Sequence, residues 1–84
     1  MANEIHRLVS EWIKQLRQRT GLSPIDASRL LGWPLKTLEQ YESGMPVPLS
    51  AIARLAEIYG IAPSEVCSKI QELQEYIKVR GSDQ

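Results

Sequence analysis

Few side chains in this 84-residue sequence could act together as nucleophile, acid, base or metal ligand. His6 is the single histidine and Cys67 the single cysteine, and neither has a second His or Cys at the spacing zinc sites use. Serine and aspartate are present. But a lone histidine near the start of a chain too short to build a deep pocket does not make a nucleophile and base pair. No glycine-rich, phosphate-cradling loop occurs. The sequence therefore predicts no catalytic residue, no metal and no cofactor, and it points to binding rather than to reaction.

The positioning elements must come from one small core, because a chain of this length makes one domain, 1–84, and not two. Hydrophobic residues at 43% and charged residues at 24% are near globular averages, without repeats or low-complexity runs. Met1 to Ser10 is polar, so no secretory signal is expected there, and no stretch has the roughly 18 apolar residues of a membrane span. One cysteine makes no internal disulfide, which fits a reducing, cytoplasmic setting. Ten basic groups balance ten acidic ones. Residues 1–48 hold six basic and five acidic groups and residues 49–84 hold four and five, so any basic footprint must come from local placement.

Apolar residues at helical spacing define the elements. Ile5, Leu8, Val9, Trp12, Ile13 and Leu16 predict a first helix over Asn3 to Thr20, stopped by Gly21. Ser23 caps a short second helix, with Pro24 in its first turn, Asp26 completing a weak capping box and Gly32 as its stop. Pro34 opens a third, with Leu38 and Tyr41 buried and Gly44 at its end. Met45 to Pro48 is a stiff loop. Ser50 caps a fourth helix over Ala51 to Tyr59, and a fifth runs from Pro63 or Ser64 to about Val79, leaving Arg80 to Gln84 to fray. Nothing has the period of two that a strand needs, so the fold class is all-α, a compact five-helix domain.

Residues 16–66 carry a recognisable order of landmarks: Leu16-Arg17, Gly21-Leu22-Ser23, Ala27-Ser28, Leu31-Gly32, Thr37-Leu38, Glu42, Gly44, Pro48, Leu55-Ala56 and Gly60-Ile61. In this order they resemble the phage repressor and Cro-like (XRE-type) helix-turn-helix family, with the helix-turn-helix itself at 23–43. The resemblance implies a lambda-repressor-like fold and a sequence-specific, DNA-binding transcriptional regulator whose third helix enters the major groove of double-stranded DNA. It assigns Leu35, Lys36, Thr37 and Gln40 to the groove, with Glu39 and Ser43 at the edge. Gln40 would pair with adenine, Lys36 with guanine or a phosphate, and Leu35 with a thymine methyl. Ser23 belongs to the phosphate-facing start of the second helix. Arg17 and Glu42 match a family ion pair that holds the arginine toward a phosphate.

The sequence departs from the family pattern in three places. Pro24 replaces a phosphate-contacting glutamine, Trp33-Pro34 replaces a small residue and a hydroxyl cap, and the loop Met45 to Pro48 carries no cation. With the zero net charge, these support an alternative in which the fold serves protein contact, as an adaptor or antitoxin-like partner. Finally, Val66, Ile70, Leu73 and Ile77 have the spacing of a helix-pair seam and are read as a homodimer surface. The other cover for that stripe is the first helix, through Ile5, Leu8 and Val9.

Overall fold

The computed structural model describes residues 4–82, with side chains as far as Val79. Its helices are α1 (Glu4–Arg19), α2 (Pro24–Leu31), α3 (Leu35–Tyr41), α4 (Leu49–Tyr59) and α5 (Pro63–Ser82), and no strand occurs among the described residues. The core gathers one stripe from each helix: Val9, Trp12, Ile13 and Leu16 of α1, Ala27 and Leu31 of α2, Leu38 of α3, Leu55 and Tyr59 of α4, and Leu73 of α5. Ile13, Leu38 and Leu55 are the largest side chains fully withdrawn from water. Each contributes about 1.5–3 kcal/mol by burial. Helix α1 packs along α5 and on α4, while α2 packs on α3 and α4.

The turn between α2 and α3 is set by backbone chemistry. Ser23 Oγ accepts from the Asp26 N–H at 3.1 Å and Pro24 stands in the first turn, so α2 starts as its sequence predicts. At its other end Gly32 takes φ +77°, where a side chain would be strained. Its N–H and that of Trp33 turn back to the carbonyls of Arg29 and Ser28, at 3.2 and 3.0 Å, which is the Schellman arrangement. The chain then runs through Trp33 and Pro34 to begin α3 at Leu35.

Several helix ends differ from expectation, each for a local reason. Pro34 is the cap of α3 rather than its first residue, because its ψ of 144° is extended while its carbonyl already accepts from Leu38. Pro48 does the same for α4, which begins at Leu49 with no side-chain cap, so Ser50 lies inside the first turn. Helix α3 ends at Tyr41, ahead of Gly44, as the Glu42 N–H closes on Leu38 and Gln40. Thr20 falls in a turn rather than in α1, and its hydroxyl donates to the Arg17 carbonyl at 2.6 Å. Arg80 to Ser82 continue α5, since a single Gly81 costs a helix only about 1 kcal/mol. Asn3, Asp83 and Gln84 lie outside the described residues.

Because Leu38 is wholly buried at the junction of helices, Leu38→Ala is expected to lower the unfolding free energy by about 2–5 kcal/mol. Leu30→Ala, at a site 53% exposed, should change it by less than about 1 kcal/mol. Urea denaturation followed by circular dichroism measures both.

Candidate nucleic-acid interface

Helix α3 has seven residues and stays in place through contacts at both ends and along one face. Leu38 enters the core, while Lys36 and Gln40, four residues apart, share the opposite face and are exposed. Glu39 and Ser43 are exposed as well, and Leu35 and Thr37 flank the face half-buried. At the inner edge Trp33 meets Tyr41 edge-on, with ring centroids 5.4 Å apart and planes at 80°. Trp33 also packs against the core, which makes it a clamp on α3 rather than an exposed anchor.

Behind this face lies the polar centre of the domain. Arg17 Nε donates to Glu42 Oε2 at 2.8 Å and Nη2 to Glu42 Oε1 at 3.1 Å, a two-pronged pair, while Nη1 donates to the Leu22 carbonyl at 3.0 Å. The two side chains are only 8% and 10% exposed. The Glu42 hydrogen bond is the main cause that raises the Arg17 pKa above its ordinary value, against an opposing effect of burial. One guanidinium thus joins the end of α1, the chain entering α2 and the end of α3. All three of its nitrogens are engaged within the protein, so Arg17 is built as a strut more than as a hand held out to phosphate.

Ser23 is exposed, and its oxygen is engaged as the α2 cap, leaving its hydroxyl proton free to donate outward. Lys36, Gln40 and Ser23 are therefore reachable from solvent, Leu35 and Thr37 partly so, and Arg17 hardly at all. On α5, Leu73 is 8% exposed within the core, and Val66 and Ile70 pack against that core, as do Ile5 and Leu8 of α1. Ile77 is half-buried. The supposed dimer seam thus has α1 as its neighbour, and Leu73 is already covered within one chain. Among the described residues no cluster of His, Cys, Asp and Glu could hold a metal, and no helix is long and apolar enough to cross a membrane.

Two polar groups escaped the sequence reading. Ser10, buried on the apolar face of α1, accepts the Gly44 N–H at 3.0 Å and so fastens the loop after α3, where Gly44 has φ +113°. Its signal was available, since Ser10 and Arg17 are seven residues apart on an otherwise apolar stripe. The Tyr59 hydroxyl is buried without a hydrogen-bond partner among the described residues. Burial first, and then the Glu42 carboxylate, pushes its pKa up to about 12, with Arg17 pulling the other way.

Two outcomes follow for stability. Glu42→Ala leaves the Arg17 guanidinium buried without its anion and is expected to cost about 3 kcal/mol, whereas replacing both by apolar residues should cost much less. For Tyr59 the neutral form is favoured in the fold, so its contribution is complete below the unfolded pKa near 10 and is lost as pH rises through about 12. Tyr59→Phe should match or exceed the parent by up to about 1 kcal/mol at pH 7. Its advantage should widen between pH 10 and 12. Denaturant titrations at each pH decide it, and an advantage that shrinks with rising pH would contradict the assignment.

Residues 10–66 match the helix-turn-helix domain family. Over 54 residues the chain is 41% identical to a protein of Archaeoglobus fulgidus named as a candidate HTH-type transcriptional regulatory protein; that alignment covers 64% of this chain and 18% of the relative. The chain thus spans less than a fifth of that relative's length. No solved structure matches it. With the matched segment running from the buried Ser10 to Val66, through the capped α2, the Gly32 turn and α3, the chain belongs to the helix-turn-helix domain family.

Proposed function

We propose that this domain is a sequence-specific DNA-binding module of a transcription regulator, working by occupancy of a site and not as an enzyme. The observation that carries the reading is the outward face of α3, where Lys36 and Gln40 stand exposed opposite the buried Leu38. In the major groove Gln40 reads adenine through its amide, Lys36 takes a guanine edge or a phosphate, and Leu35 and Thr37 pack against thymine methyls or sugar. Ser23 and the Ile25 amide face a phosphate, since Pro24 has no N–H and the Asp26 and Ala27 amides are taken by Ser23. Arg17, held by Glu42, sets the angle of α3 rather than supplying a contact. The relative's regulatory name supports the same reading.

Two copies acting on a two-fold operator would set their α3 helices about 34 Å apart. Pairing through Leu73 would require α1 to leave it. The surface we favour is instead the apolar groove between α4 and α5, of about 440 Å³, lined by Leu49, Ile52, Ile61 and Val66. Leu49, 79% exposed at its edge, gives the patch both a knob and a hollow, the self-complementarity that a two-fold contact needs. A second reading, protein contact without DNA, is favoured by the zero net charge and the uncharged Met45 to Pro48 loop.

Sequence selection from random duplexes, followed by mobility shift across a salt series, tests the module. Binding should weaken with rising salt as counterions are released, with a slope set by the few phosphates each copy neutralises, and Gln40→Ala should relax preference at one base pair at a cost of about 1–3 kcal/mol. No binding at low salt would favour the protein-contact reading. Sedimentation at micromolar concentration tests the pairing: a dimer that Leu49→Glu converts to a folded monomer supports the α4 and α5 surface, and a strictly monomeric parent removes it.

A further inference from the structure

The last four carbonyls of a helix have no partner within it, and in α2 these belong to Ser28, Arg29, Leu30 and Leu31. The Gly32 and Trp33 amides take the first two. The other two are met from a different helix: Arg54 of α4 donates from Nε to the Leu31 carbonyl at 3.3 Å and from Nη2 to the Leu30 carbonyl at 3.5 Å. Its Nη1 donates to Glu57 Oε1 at 3.2 Å, one turn along the same helix, which fixes the plane of the guanidinium. A cation here also faces the negative end of the α2 dipole. Every carbonyl at the α2 end is thereby satisfied immediately before the turn that launches α3.

We propose that Arg54 is a positioning residue for DNA recognition: by completing the C-cap of α2 from α4, it locks the Gly32 and Trp33 turn and so fixes the direction in which α3 presents Lys36 and Gln40. The inference rests on the DNA-binding reading of α3. It gains force because the start of that helix, next to the packed Trp33, has no side-chain hydrogen bond of its own, Pro34 capping it without one. Lysine in place of Arg54 keeps the charge but offers one point of donation, so it can serve one carbonyl and not the pair together with Glu57.

Arg54→Gln and Arg54→Lys test this at a temperature where circular dichroism shows each variant fully folded. Amide hydrogen exchange and affinity for a duplex selected by the parent are read together. The glutamine variant should speed exchange at Gly32, Trp33 and Leu38 while the amides in the middle of α1 and α5 keep their rates. Its affinity should fall about fivefold or more, with blunted base preference and an unchanged salt slope. Lysine should lie between it and the parent. A salt slope reduced by about one, with exchange unaltered, would make Arg54 a phosphate contact and overturn the proposal. So would unaltered exchange and unaltered affinity. If the parent binds no duplex, the DNA reading fails by itself, and exchange at Gly32 and Trp33 still decides whether Arg54 holds the turn. If the glutamine variant does not fold, the lysine variant carries both measurements.

Discussion

Removing a guanidinium and a carboxylate from water costs several kcal/mol each, and the Arg17 and Glu42 pair recovers that cost only because its geometry is two-pronged and a third donor finds the Leu22 carbonyl. Those three bonds define where the end of α1, the entry to α2 and the exit of α3 must meet. A helix of seven residues has no stability of its own, so α3 takes its direction from what surrounds it. The ion pair holds its C-terminal end, Leu38 its middle, and the Schellman turn its start. The Tyr59 hydroxyl, buried without a hydrogen-bond partner among the described residues, is the residual cost of packing an aromatic ring against buried charges.

The long outer helices stabilise this arrangement from behind. Leu73 of α5 and the Val9, Trp12, Ile13 and Leu16 stripe of α1 belong to the same cluster as Leu38, so the hydrophobic burial that fixes α1 against α5 also supports Arg17 at the far end of α1. Nothing of α1 or α5 need touch a ligand for that purpose. The exposed surface of α3 can therefore change in chemistry with little effect on the core, which separates recognition from stability along the sequence.

Much of this is legible in the sequence. Helical spacing located all five helices, and the caps of α2 were readable because Ser23, Pro24 and Gly32 each have one dominant backbone reason for their position. The starts of α3 and α4 were misplaced, since a proline with extended ψ can accept the first helical hydrogen bond as readily as it can occupy the first turn. The α5 stripe was the deeper ambiguity. A spacing of four, three and four describes a face that needs cover, and it is silent on whether the cover comes from α1 or from another chain. Arg54 shows locally only its pairing with Glu57 one turn along α4; its cap on α2 has no local signal, because the carbonyls it meets lie more than twenty residues away. Of the candidate interface, the inward Leu38 is readable from periodicity and the outward residues of α3 from the family resemblance, whereas the inward turn of Arg17 needs the packing of three helices.

The charge distribution then bears on how such an interface would work. Lys36 is the single cation on α3, Arg17 is engaged within the protein, and the whole chain is neutral, so one copy of the proposed module neutralises few phosphates. Phosphate neutralisation supplies most non-specific affinity, and each ion pair lost shallows the dependence on salt. A module with little non-specific attraction depends more on correct placement of its few base contacts, because a small error in α3 is not masked by a large sequence-independent term. Placement of that kind is what the hydrogen bonds around α3 would supply in the proposed reading: Arg17, Ser10 and Arg54 each fasten a segment next to it, each from a different position in the fold. In the proposed reading, joint binding by two copies would offset the few phosphate contacts of each, because the second contact is made at high effective concentration.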